Sequence, residues 1–200
     1  MIRTLIGACL AVTLEGCATA DFSPVSRSIT APIAIETLPP SIVVVRDVQG
    51  DYSQHGAVGE ALLREVSARY SSPGLTFGEY PQDPDAIGIE NVRWRLGVYL
   101  IRGDHHDSSE SLRLRLAALP QPTSPYLLRI DDPMQAAVFQ TTLGNSRDDG
   151  LALFGWLAEH NLVQIGPTRM EFLDNTGLPN TPVRIVVPIR NRTWEQRQPR

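Results

Sequence analysis

The sequence contains no lysine, and its two cysteines, Cys9 and Cys17, both fall near the amino end. All 18 basic residues are arginine, set against 22 acidic residues for a net charge of −4. With no basic block and a mildly acidic balance, the chain lacks the electrostatic footprint of a nucleic-acid binder. The body beyond Cys17 has no thiol and therefore no disulfide framework, so its core must hold the fold alone. No Gly-rich phosphate loop, CxxC pair or HExxH motif occurs, and no cofactor or metal is expected. The longest apolar run, Leu5 to Leu14, is shorter than the roughly 20 residues a membrane-spanning helix needs.

What the sequence does contain is a repeat. Thr76-Phe77-Gly78-Glu79-Tyr80 and Thr168-Arg169-Met170-Glu171-Phe172 both read Thr-x-x-Glu-aromatic. Downstream, Arg95-Leu96-Gly97-Val98-Tyr99-Leu100 is echoed by Arg184-Ile185-Val186-Val187-Pro188-Ile189. Upstream, Ile42 to Val45 leads to Gly50 as Ala136 to Phe139 leads to Gly144. Three blocks in the same order at nearly the same offset indicate a tandem duplication.

The amino end has its own logic. A basic start, a short apolar run and Gly16 before Cys17 describe an export signal. The segment resembles the lipobox of a bacterial lipoprotein, which implies removal of residues 1–16 and lipid on Cys17; the alternatives are an ordinary secretory signal cut near Ala20 or an uncleaved anchor. Glu15 departs from the usual small or apolar residue there. Two acyl chains would anchor the protein stably on a membrane surface. Ala18 after the cysteine favours the outer membrane, so the expected location is the periplasmic face of the cell envelope. Residues 17–32 read as a tether rich in Ser, Thr and Pro.

Periodicity supplies the rest. Ile33 to Leu38 alternates, Pro39-Pro40 interrupts, and Ile42 to Val45 is β-branched, giving a strand, a Pro bend and a strand. Val58, Ala61, Leu62, Val66 and Tyr70 recur at helical spacing, so a helix is predicted over about 55–70. Leu75 to Tyr80 and Val92 to Ile101 are predicted strands, the latter with Trp94, Leu96, Val98 and Leu100 on one face. Residues 102–125 interrupt the repeat as a linker, in which Leu112, Leu114 and Leu116 alternate with arginines. That pattern suggests an extra strand, with helix as the rival. The second half follows with strands at 127–130 and 136–141 and a helix opened by Ser146-Arg147-Asp148-Asp149 as a capping-box-like start. Asn161 is a left-handed stop. Strands at 167–173 and 182–189 close the domain, before a tail at 191–200. The fold class is α+β: duplicated β-α-β-β halves, about 33–101 and 126–190, form one antiparallel sheet with two helices on one face and pseudo-twofold symmetry.

These blocks resemble the GyrI-like effector-binding domain, also found in multidrug-responsive transcription regulators. The resemblance covers residues 33–190. It is carried by Thr37-Leu38-Pro39, Gly50 and Gly78-Glu79-Tyr80, then by Trp156-Leu157-Ala158-Glu159, Gly166 to Phe172 and the Thr181-Pro182 to Pro188-Ile189 strand. It implies a cleft at the pseudo-twofold axis, beneath the paired helices, that takes small hydrophobic, aromatic or cationic molecules, with Glu171 facing it. Some relatives hydrolyse reactive compounds with such acids.

Six residues are candidates for that cleft: Glu171, Glu79, Tyr80, Phe172, Trp156 and Tyr99. A carboxylate near aromatic rings can pair with a ligand cation, to which aromatic faces add about 0.5–2 kcal/mol. The competing reading is that Arg95 and Arg184 pair with the glutamates across a solvated sheet face, contributing about 0.2–1 kcal/mol without any ligand. Trp94 is assigned to the core. His105-His106 between Asp104 and Asp107 is a weak metal candidate, because adjacent loop residues point apart and no third ligand is near. The expected function is a membrane-tethered, non-enzymatic module that captures a small molecule. The alternatives are a glutamate-dependent hydrolase and an envelope interaction module, bound to a protein partner, whose cleft is filled.

Overall fold

A computed structural model describes residues 32–80, 88–104, 106–174 and 178–192. The expected signal, Cys17, most of the tether, His105 and most of the tail lie outside the described residues. Among the described residues, no helix is long and apolar enough to cross a membrane.

The first half comprises β1 (Ala34–Leu38), β2 (Ser41–Gln49), α1 (His55–Arg69), β3 (Thr76–Tyr80) and β4 (Arg93–Arg102). A helix α2 (Ser109–Ala117) follows. The second half comprises β5 (Leu127–Asp131), β6 (Met134–Thr142), α3 (Ser146–Glu159), β7 (Leu162–Gln164), β8 (Thr168–Phe172) and β9 (Pro182–Asn191). The strands form one antiparallel sheet in the order β1-β6-β9-β8-β3-β4-β2-β5, with the short β7 pairing to β9.

The duplication is visible in the register. Glu79 pairs with Arg95, and Glu171 pairs with Arg184. The halves meet where β3 runs against β8, with Gly78 opposite Met170 at the centre of symmetry. The two opening strands are exchanged. β1 of the first half pairs with β6 of the second, and β5 of the second pairs with β2 of the first. The Pro bends after β1 and β5 make this crossing possible, because proline supplies no ladder donor and ends each strand.

Strand alternation sorts the side chains onto two faces. On one face, Val58, Leu62 and Val66 of α1 pack on Val44, Trp94, Leu96 and Val98. Leu153 and Leu157 of α3 pack on Ala137, Phe139, Val183, Ile185 and Val187. The opposite face carries Val43, Val45, Phe77 and Tyr99, and it is the face that holds the charged residues. Phe77 lies flat there because Gly97 has no side chain; a Cβ at 97 would stand 2.1 Å from the Phe77 ring.

Several expectations change. The Leu112–Leu116 segment is helical rather than an extra strand. Ser108 accepts from the Ser111 N–H as its cap, and Leu112 is fully buried while Leu114 is exposed. Leu112 and Leu116 are four apart and share a helical face, so capping and one buried leucine outweigh the alternation. The capping box at α3 does not form. Ser146 is already helical and donates to the Leu143 carbonyl instead. β7 was not anticipated. Asn161 does adopt the left-handed conformation, with φ 56°.

Candidate ligand site on the open face of the sheet

The helix-free face is built by period-two alternation. β8 sends Arg169 and Glu171 to it, β3 sends Phe77 and Glu79, and β9 sends Arg184. β4 sends Arg95 and Tyr99, and an irregularity in its pairing with β2 near Val43 brings Arg102 to the same face. The exchanged strands deliver one charge each to the other half. Glu36 of β1 reaches Arg184, and Arg129 of β5 reaches Glu79.

Glu171 is 1% exposed and has three partners. The Tyr99 hydroxyl donates to it at 2.7 Å, Arg184 Nη1 lies at 3.0 Å and Arg102 Nη2 at 2.9 Å. Glu79 holds Arg95 and Arg129, each at 3.1 Å, together with Arg169. Arg169 also meets Asp131 and donates to the Tyr99 hydroxyl at 2.7 Å. A guanidinium only donates and a carboxylate only accepts. The Tyr99 proton is therefore directed to Glu171, and the phenol joins the two glutamate clusters into one network.

Burial alone would push Glu171 upward in pKa. The Tyr99 hydrogen bond and the Arg102 and Arg184 charges outweigh it and hold the carboxyl below its ordinary value. Glu79 is likewise held low, with burial opposed by Arg169, Arg129 and Arg95. Burial pushes the Tyr99 phenol well above the usual tyrosine range. Both acids are thus anions and Tyr99 is a neutral donor at neutral pH.

The repeat is not symmetric in its chemistry. Arg169 precedes Glu171 by two residues, and Phe77 precedes Glu79 by two. Tyr99 lies four residues after Arg95, whereas Pro188 lies four after Arg184. A cavity of about 200 Å³ opens on the Glu171 side. Its charged and phenolic lining is Glu36, Tyr99, Arg102, Arg169, Glu171 and Arg184, and its apolar lining is Leu38, Pro39 and Met134. Glu79 does not line this cavity.

The six residues expected to share one cleft do not. Glu171, Glu79 and Tyr99 lie on the open face, away from the helices rather than beneath them. Tyr80 and Phe172 point to the helix face, because each immediately follows a glutamate in a strand. Tyr80 meets Tyr52 edge-on at 5.2 Å, and Phe172 lies 5.1 Å from His55. Trp156 stacks on His160 at 4.0 Å and packs against the second-half core. Trp94 is buried in the first-half core, as expected. The Glu–Arg pairs form in the expected register, but the glutamates are buried rather than on a solvated face. Arg102, Arg129, Asp131 and Arg169 were not singled out. Arg169 was detectable, since it alternates with Glu171 on one strand. Arg102 was not, since its placement depends on the strand irregularity. Among the described residues, no group of three or more His, Cys, Asp or Glu side chains is arranged to hold a metal.

No protein-family model matches the chain, and no curated protein matches it in sequence. The fold does recur among solved structures. The C-terminal domain of EcmrR aligns with a TM-score of 0.61 at 11% identity, covering 82% of this chain and 99% of that one. An uncharacterized conserved protein from Listeria innocua aligns with a TM-score of 0.54 at 10% identity, over 79% of this chain and 92% of that one. A hydrolase from Listeria innocua gives 0.51 at 11% identity, over 79% and 91%. The chain shares the fold of these structures, an α+β fold of the class its repeat predicts.

Proposed function

We propose that this protein is a small-molecule-binding module whose ligand sits over Glu171 and Tyr99 on the open face of the sheet. The observation that carries this reading is the ionised, almost fully buried Glu171 at the wall of a cavity that Leu38, Pro39 and Met134 also line. A buried charge is costly unless paired, and a pocket that joins such a charge to apolar walls suits a ligand with a hydrophobic or aromatic body and a cationic group. Glu171 and Tyr99 contact the ligand in this reading, whereas Glu79 secures the sheet. The module is tethered to the envelope through lipidated Cys17, and the domain it carries spans residues 33–190.

Two features argue against turnover. A general acid or base works best with a pKa near the operating pH, and both glutamates are held below their ordinary value. Glu79 is also held by three arginines, and Glu171 by two arginines and the Tyr99 hydroxyl.

The test is thermal stabilisation of the purified protein against a library of aromatic cations, aromatic acids and neutral lipophiles. A ligand at 100 times its dissociation constant stabilises the fold by about 2.7 kcal/mol. Hits whose effect is lost in Tyr99→Leu support the reading. A library with no hits, or hits indifferent to both Tyr99 and Glu171, would sink it.

A further inference from the structure

The cavity of about 200 Å³ is smaller than the roughly 300–1,000 Å³ typical of ligand pockets. Arg102 is part of its wall. Its guanidinium carbon stands 4.1 Å from the centre of the Tyr99 ring, and its Nη2 lies 2.9 Å from Glu171. A planar cation lying on an aromatic face and hydrogen-bonded to a buried carboxylate is the arrangement expected of a bound ligand.

We infer that Arg102 occupies the ligand's place, and that the ligand is a flat, delocalised cation with N–H donors, an amidinium or guanidinium on an apolar body, which displaces it. This rests on the reading of Glu171 and Tyr99 as the ligand site.

Which partner leaves decides the sign of the vacated position. The Arg102 side chain is 43% exposed, the Arg184 side chain 16% and the Glu171 side chain 1%. Arg184 holds two carboxylates, Glu171 and Glu36. Arg169 holds Glu79, Asp131 and the Tyr99 hydroxyl. Arg102 meets one carboxylate and one ring, and it is the last residue of β4, with a long side chain that can swing into water. Glu171 cannot leave, because it sits within β8, buried, with Tyr99 and Arg184 upon it. The group that moves is a cation, so the position it exposes is a cation position. Removal of Arg102 also joins its volume to the existing cavity beside Leu38, Pro39 and Met134.

The geometry selects among cations. A flat cation can stack on Tyr99 at about 4 Å while its N–H groups donate to Glu171. A quaternary ammonium can lie over the ring but has no donor for Glu171. An anion would leave the Arg102–Glu171 pair intact and would bind to the outer side of Arg102.

Isothermal titration calorimetry of the intact protein with 4-phenylbenzamidine, tetraethylammonium and 4-phenylbenzoate tests this, comparing wild type with Arg102→Met. Methionine keeps the apolar stem and removes the competing charge; circular dichroism and melting confirm that the variant is folded. The expected result is about tenfold tighter amidine binding in Arg102→Met, no gain for tetraethylammonium, and loss of that gain when Tyr99→Leu is added. Unchanged, weakened or absent amidine binding in Arg102→Met overturns the proposal. Benzoate binding that wild type shows and Arg102→Met loses overturns it in favour of an anion site. If Arg102→Met changes nothing while library hits still depend on Glu171 and Tyr99, the ligand site stands and the displacement of Arg102 fails.

Discussion

Arg169 lies over the ring of Phe77, 4.2 Å from guanidinium carbon to ring centre, and the two residues are counterparts in the two repeats. Each precedes its half's glutamate by two positions. The second half's arginine therefore crosses the symmetry axis to the first half's glutamate, Glu79. The first half's phenylalanine offers no charge in return, and Glu171 is completed instead by Tyr99 and Arg102. One substitution in a duplicated strand thus makes one glutamate a structural anchor and leaves the other beside a cavity.

Arg169→Met is expected to be strongly destabilising. It leaves Glu79 and Asp131 short of a buried cation, and breaking a buried pair from one side costs about 3–5 kcal/mol. Urea denaturation should show a lower midpoint with an unchanged slope. A loss under about 1 kcal/mol would mean that the buried ion network contributes little to stability.

Gly97→Ala tests the packing beneath that network. The added methyl group meets the Phe77 ring at 2.1 Å, and overpacking of this kind costs about 1–3 kcal/mol. Because Phe77 supports Arg169, the melting temperature should fall. A neutral outcome would show that the ring is free to move aside.

Acid should destabilise the protein in two pH ranges. The folded pKa of His55 is lowered by burial, between Trp94 and Phe172. The unfolded chain thus takes up this proton first, and stability declines as pH falls below about 6.5. Glu79 and Glu171 are also lowered from 4.5, so the stability they contribute is present above that value and is lost as pH falls through their folded pKa values. Denaturation midpoints from pH 8 to pH 3 should show both declines. His55→Phe should remove the first and keep the second; a first decline that survives in His55→Phe would assign it elsewhere.

The proposed lipid tether makes a separate prediction. Cys17→Ser should abolish incorporation of labelled fatty acid and release the protein from the membrane fraction. Membrane retention without lipid would indicate an uncleaved apolar anchor.

The sequence revealed the fold more readily than the site. The repeat placed both glutamates and both pairing arginines, because strand register copies linear spacing. It could not show the exchange of β1 and β5, since either pairing buries the same alternating residues. Nor could it show which face of the sheet the glutamates occupy. Both faces of β3 and β8 are well buried, so the usual contrast between apolar and polar sides is weak there. Grouping Tyr80 and Phe172 with the acids followed the motif as a string, whereas adjacent strand residues face opposite ways. Arg102 was hidden for a different reason. A local irregularity in strand pairing shifts side-chain facing, and nothing in the surrounding residue types signals one.

The most direct test compares the two equivalent glutamates. The dissociation constant of the best library hit should be measured for wild type, Glu171→Gln and Glu79→Gln, each well below its own melting temperature. Both variants are expected to be less stable than wild type. The account predicts at least about tenfold weaker binding in Glu171→Gln and near wild-type affinity in Glu79→Gln. Equal loss in both, or loss in Glu79→Gln alone, would contradict it.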